Sequence, residues 1–160
     1  MALAYSDQIT GKRDIEAGTA YSLQNGLSTT NGKVTTVVGT YTSTAIAAGS
    51  TIYMVDLPKG ARIVRANLIT GALGASVTLS VGTDVALVKE DGSTALTAAG
   101  TANLLAATST AAASNTAFCA TRLLGALGLT SAPTRVALTT AGATLAAGIE
   151  VLVVVEYLQH

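Results

Sequence analysis

In the stretch Ala75-Ser-Val-Thr-Leu-Ser-Val81, Val77, Leu79 and Val81 fall at every second position, and Ser76, Thr78 and Ser80 fill the positions between them. A period of two puts the aliphatic side chains on one face of an extended strand and the hydroxyls on the other, the pattern of a sheet buried on one side. Gly82-Thr83-Asp84 then turns the chain.

The neighbouring segments carry the same signal. Lys33-Val-Thr-Thr-Val-Val-Gly-Thr-Tyr41 is β-branched and aromatic, as half-buried strands are. Thr51-Ile-Tyr-Met-Val-Asp-Leu57 leads into Pro58-Lys59-Gly60, where proline presets φ and glycine accepts positive φ, and Ala61-Arg-Ile-Val-Arg-Ala-Asn-Leu-Ile-Thr70 follows as the next strand. Simple alternation groups Ile63, Arg65, Asn67 and Ile69 on one face and Arg62, Val64, Ala66 and Leu68 on the other. Val85 to Lys89 reads as a short strand closed by Glu90-Asp91-Gly92-Ser93, and strand character returns over Thr116 to Leu124 and Thr134 to Thr140. Gly71-Ala-Leu-Gly74 and Gly125-Ala-Leu-Gly128 read as turns between strands.

The final segment, Gly148-Ile-Glu-Val-Leu-Val-Val-Val-Glu-Tyr-Leu158, is apolar on both faces except at Glu150 and Glu156. Such a strand belongs inside a sheet or under a partner, which makes Leu152, Val154 and Tyr157 candidate interface residues. Residues 94 to 115 have the alanine content of a helix, against which Gly100 and the Thr and Ser residues pull; the segment is expected to form a short helix or a compact loop. About eight strands between residues 33 and 158 predict an all-β fold, a jelly-roll-like β-sandwich.

Residues 1–32 stand apart as an extended N-terminal arm preceding the sandwich domain of 33–160. Gly11, Gly18, Gly26 and Gly32 interrupt the arm, and its apolar residues keep no period. Yet Tyr5, Ile9, Ile15, Tyr21, Leu23 and Leu27 exceed what a solvated tail needs, and they are expected to dock.

The composition says that copies or a partner cover the surface. Of 160 residues, 49% are apolar and 11% charged, where about a quarter is ordinary for the latter. A monomer of this mass exposes ~7,400 Å² by surface scaling, which leaves about one formal charge per 400 Å², and the net charge of zero removes the repulsion that would keep copies apart. Thirty alanines and 25 threonines dominate, with one phenylalanine and no tryptophan. A membrane span is not expected, since the most apolar stretch, Ala141 to Val155, is shorter than ~18 residues and contains Glu150, and a signal peptide is not expected, since Met1-Ala-Leu-Ala-Tyr-Ser-Asp-Gln8 lacks a basic start and an apolar block.

The usual parts of an active site are missing. His160, the one histidine, is the last residue, and Cys119, the one cysteine, has apolar neighbours and reads as a buried thiol. Glu150 and Glu156 would sit ~20 Å apart on one strand face, too far for a glycosidase pair. Glu90-Asp91-Gly92-Ser93 lacks calcium-loop spacing, and neither a phosphate loop nor a dinucleotide fingerprint occurs. No enzyme activity and no cofactor are expected. Lys12-Arg13 and Lys59, Arg62 and Arg65 are the local basic clusters, with acids nearby and a pI near 6.5. This is no counterion-releasing stripe for nucleic acid, so Lys12, Arg13, Arg62 and Arg65 are expected to pair with carboxylates at an interface.

At Leu57-Pro-Lys-Gly-Ala61, at Leu73-Gly-Ala-Ser-Val-Thr-Leu-Ser-Val-Gly-Thr83 and at Ala146-Ala-Gly-Ile-Glu-Val-Leu-Val-Val-Val-Glu-Tyr157, the chain resembles small structural proteins from the virions of tailed bacteriophages. The resemblance spans roughly residues 50 to 158. It implies a jelly roll that assembles on the particle, a capsid decoration or cement protein, often a homotrimer, with the major capsid protein as partner and the capsid surface as its location. The arm and residues 94 to 115 lie outside this pattern. A tail, baseplate or fibre-base component is the structural alternative. A carbohydrate-binding jelly roll is disfavoured because six aromatics give few platforms.

Overall fold

The last strand organises the molecule. In the computed structural model, which describes residues 3–5, 34–88, 95–118 and 129–159, β12 (Glu150–Gln159) lies between β2 (Val34–Thr42) and β4 (Ala61–Thr70), antiparallel to both. β9 (Ser114–Phe118) pairs with the second half of β4. The short β10 (Leu129–Thr130) pairs near the start of β4 and continues the sheet to β6 (Leu87–Val88) and β7 (Ala95–Thr97). The facing sheet runs in the order β1 (Leu3–Tyr5), β3 (Thr51–Leu57), β11 (Thr134–Ala141), β5 (Thr78–Thr83), β8 (Gly100–Ser109).

The long strands pair in nested order: β2 with β12, β3 with β11, β4 with β9 and β5 with β8. A single long antiparallel ribbon rolled over on itself gives this arrangement, which is the jelly-roll topology. The expected all-β sandwich is therefore the observed fold.

Small aliphatic side chains fill the space between the sheets. Val151, Val153 and Val155 of β12 meet Ile52, Val55 and Leu57 of β3, Leu79 and Val81 of β5, and Leu138 of β11, all within one buried cluster. Each such side chain contributes about 1.5–3 kcal/mol on burial. Tyr41 and Phe118 supply aromatic bulk near the two flanks of the β12-centred sheet.

Three expectations need correction. First, β5 begins at Thr78, with Ala75 and Ser76 in a turn, and its polar face is covered: Ser80 is buried and donates through Oγ to the Thr101 carbonyl at 2.9 Å. Secondly, residues 95–97 and 100–109 are strands, not a helix or a loop excursion. Asn103 fastens β8 to β5, accepting from the Thr83 N–H at 2.9 Å and donating to Thr83 Oγ1 at 2.7 Å and the Ala98 carbonyl at 2.9 Å. Threonine's β-branching suits a strand, and the ladder to β5 outweighs alanine's helix preference. Thirdly, the two faces of β4 do not alternate throughout. The register against β12 shifts between Arg65, opposite Glu156, and Ile63, opposite Tyr157, so Val64 is the extra residue of a β-bulge. Ile63 thus joins Ala66 and Leu68 in the core, while Val64 and Arg65 both face outward.

The Pro58–Ala61 turn closes as expected, with positive φ at Gly60 and the Ala61 N–H donating to the Pro58 carbonyl at 3.3 Å. Thr130 plugs it. Its hydroxyl donates to the Pro58 carbonyl at 2.5 Å and accepts from the Ala61 N–H at 3.0 Å, while its own carbonyl accepts from the Gly60 N–H at 2.9 Å.

At Gly82 a Cβ would collide with the backbone of Gly100 and Thr101, where β8 crosses β5, whereas a Cβ at Gly100 meets nothing within 4 Å. Gly82→Ala should therefore lower stability by about 1–3 kcal/mol or more through overpacking against unyielding backbone, and Gly100→Ala should be near neutral. Urea midpoints of the two variants check this contrast.

Candidate assembly surfaces

The outward face of the β12-centred sheet is built from cross-strand rows. Val34, Leu158 and Arg62 form one row, followed by Thr36, Glu156 and Arg65, then Val38, Val154, Asn67 and Ala117, and then Thr40, Leu152, Ile69 and Asn115. Val34, Val38 and Val64 are 46%, 43% and 42% exposed, and Leu152, Val154 and Leu158 are partly exposed beside them. Aliphatic residues thus recur across the face, interrupted by the register-opposed charges of Glu156 and Arg65. A sheet needs one apolar side to make a sandwich; this sheet also carries aliphatic side chains on its other side, mixed with Thr36, Thr40, Arg62, Asn67 and Asn115.

The other sheet presents a polar exterior. Tyr53 and Asp56 of β3 stand opposite Ala137 and Arg135 of β11. Arg135 donates through Nε to Asp84 Oδ2 at 3.0 Å, its main-chain N–H donates to Asp84 Oδ1 at 2.8 Å, and its guanidinium lies 4.4 Å from the centre of the Tyr53 ring. Partial burial works against the Arg135 charge, but the hydrogen bond and negative charge of Asp84, with smaller contributions from Tyr53 and Asp56, outweigh it and raise the guanidinium pKa. Sequence reading missed this latch. Its signal was the position of Asp84 just after β5 and of Arg135 at the start of β11, which the Thr83–Val136 pairing brings together.

The residues read as interface candidates are distributed unevenly. Leu152 and Val154 do face outward. Tyr157 does not: it is 8% exposed and belongs to the core, and burial pushes its phenol pKa up. Its odd-numbered position places it in phase with Val151, Val153 and Val155. Arg65 is exposed opposite Glu156, Arg62 is half-buried beside Leu158, and Lys59 sits exposed in the turn before β4. Glu150 and Glu156 share the outer face, as alternation predicts. Tyr5 lies in β1, where its backbone pairs with Tyr53. Ile9, Lys12, Arg13, Ile15, Tyr21, Leu23 and Leu27 lie outside the described residues, as do Cys119, His160 and the segment Glu90-Asp91-Gly92-Ser93. Among the described residues there is no group of three or more His, Cys, Asp or Glu placed to hold a metal ion, and no helix is long and apolar enough to cross a membrane.

A chain in the capsid of Ralstonia phage GP4 superposes with a TM-score of 0.68 over 99% of both chains, at 22% sequence identity. The shared feature is the fold. A chain of the cyanophage Pam1 capsid follows, with a TM-score of 0.52 and 22% identity over 88% of this protein and 98% of that chain. A chain from the capsid of Helicobacter pylori bacteriophage KHP30 gives 0.51 and 15% identity over 81% of this protein and 90% of that one. No protein-family model matches the sequence, and a search among curated proteins finds no relative.

Two measurements test these placements. Asp84→Asn keeps an acceptor for the Arg135 N–H and should cost under about 1 kcal/mol, because the ion pair is partly exposed; Asp84→Ala should cost more, about 1–2 kcal/mol, by removing both acceptors. For Tyr157 the folded-state pKa exceeds the unfolded value near 10. Its contribution to stability is therefore complete below that pH and is lost as the pH rises through the folded value. Stability measured from pH 9 upward should fall less steeply in Tyr157→Phe than in the parent, and equal slopes would contradict the assignment of the ring to the core.

Proposed function

We propose that the protein is a non-enzymatic structural protein of a bacteriophage virion, a decoration or cement protein that assembles as a homotrimer on the capsid surface and binds the major capsid protein. The observation that carries this reading is the set of exposed aliphatic residues on the outer face of β2, β12 and β4, in a chain whose fold matches a phage capsid chain along its whole length. An aliphatic sheet exterior on a chain with zero net charge favours association over solubility. Many copies on one lattice hold by modest contacts, because each contact raises the effective concentration of the next. Leu152 and Val154 form the centre of the proposed contact, with Arg65 and Glu156 fixing its orientation by charge. The N-terminal arm, through Tyr5, Ile9, Ile15, Tyr21, Leu23 and Leu27 with Lys12 and Arg13, extends the contact beyond the sandwich.

The test compares lysine substitutions on the two sheets. Leu152→Lys with Val154→Lys should leave the sandwich folded, since both side chains face outward, and should weaken oligomer formation or particle occupancy by about tenfold or more, because a lysine is costly to bury unpaired. Ala141→Lys, at the exposed end of β11, should leave both unchanged. Sedimentation gives the oligomer mass, and imaging of particles with bound protein gives its position. Unaltered assembly of the double lysine variant overturns the proposed face, and density on the tail in place of the shell overturns the decoration role.

A further inference from the structure

We propose that the outer face of β2, β12 and β4 packs on the same face of a second copy, turned end for end about a two-fold axis along the row of Val38, Val154, Asn67 and Ala117. The inference rests on the assembly reading above and names the occupant of that face, a copy belonging to a neighbouring trimer. Its starting point is Asn67, whose Oδ1 is buried and has no hydrogen-bond partner, although the residue sits on the outer face between Val154 and Ala117. A buried acceptor without a donor is costly, and each one in a native structure calls for an explanation. An amide carries both donor and acceptor and so complements itself. On a two-fold axis through its row, Asn67 meets the partner's Asn67, and the soft last torsion of the side chain lets Oδ1 turn toward that donor.

Charge register selects the direction. Sheets packed face to face keep their strands nearly aligned, about 10 Å apart, which leaves two ways of relating identical faces by a two-fold axis. An axis along β12 lays every row on itself, so Glu150 would meet the partner's Glu150, and Glu156 the partner's Glu156. An axis across the strands reverses the rows instead. With the Asn67 row at its centre, Glu150 lies over the row of the partner's Leu158 and the partner's Arg62. A guanidinium has five N–H donors, so Arg62 can add a carboxylate to the interactions it makes within its own copy. Glu156 and Arg65, opposed in register, are covered together by the partner's Leu152 and the partner's Ile69, and Val38, 43% exposed, meets the partner's Val38. Like charges are superposed nowhere on the three strands. Five rows span ~27 Å, and three strands with part of β9 are ~15–20 Å across, so the contact covers about 400–500 Å² per copy. Under ~1,000 Å² in all is the size of a weak interface, one that holds where many copies are arrayed together.

Chemical linking at single cysteines reads the arrangement, with Cys119→Ser removing the one native thiol. Val154→Cys lies on the axis row, so a short bismaleimide should join two copies through this position in concentrated solution. Glu150→Cys should not join to itself, since reversal sets the two positions ~27 Å apart. Mixed with Leu158→Cys carrying a tag of different mass, it should give the mixed pair. Self-linking of Glu150→Cys, or no link at Val154→Cys, overturns the two-fold contact. Adding Asn67→Asp sets two carboxylates face to face and should cut the Val154→Cys link by about tenfold or more, with the strand signal in circular dichroism retained; an unchanged yield overturns the central place of Asn67. Sedimentation of the unlinked samples separates the two proposals. Trimers that never give these links overturn the two-fold contact alone, whereas a chain monomeric throughout overturns the assembly reading with it.

Discussion

β12 hydrogen-bonds to β2 along one edge and to β4 along the other, each over most of its ten residues, and the places of the remaining long strands follow from that central position. Once the end of the chain is fixed beside β2, β11 must return alongside β3, and the two inner pairs, β4 with β9 and β5 with β8, fold inside them. The strands are far apart in sequence, so the loop entropy of bringing them together is large. Continuous pairing and a dense layer of valines on the inner face of β12 offset it. Valine suits this role because its single preferred χ1 loses little freedom in a pleated sheet.

Strand existence was legible wherever alternation or β-branching was strong: β2, β3, β4, β11 and β12 lie within a few residues of where the pattern puts them. Phase was less legible. A bulge leaves no compositional mark in Ala61-Arg-Ile-Val-Arg, so the reading that grouped Ile63 with Arg65 failed at Val64, where one extra residue resets which side faces the core. Tyr157 was misassigned for a related reason: both faces of the last strand are apolar, and hydrophobicity alone does not say which one meets β3 and β11. In residues 94–115 alanine obscured the strands, since its helix preference is a few tenths of a kcal/mol per residue and the partner strand β5 overrides it. The Asp84–Arg135 latch depends on two segments meeting in space, which a local reading of either one does not contain.

The two outer faces of the sandwich differ in kind. One carries an arginine held by a carboxylate and an aromatic ring; the other sets valine and leucine among Arg62, Arg65, Asn67, Glu150 and Glu156. Both outer faces carry charged residues, but only the β12-centred one also exposes large aliphatic side chains, Val34, Val38 and Val64, among the described residues.

The ends of the sandwich are tied by hydroxyls. Thr140 accepts from the Ser50 N–H at 3.1 Å, Ser43 donates to the Ala146 carbonyl at 2.5 Å and accepts from the Ile149 N–H at 2.9 Å, and Thr110 donates to the Val77 carbonyl at 3.1 Å. Together with the Thr130 plug, these bonds give the abundant threonine and serine a use that strand propensity does not capture. They also confer a chemical indifference. An aliphatic hydroxyl has no proton to gain or lose across the pH range in which carboxylates, imidazoles and amines change state, and an uncharged bond is not screened by dissolved ions. Loop crossings secured this way respond little to acid, base or brine, and sensitivity to the medium falls to the ionic contacts at the surface and, in strong base, to the buried phenol of Tyr157.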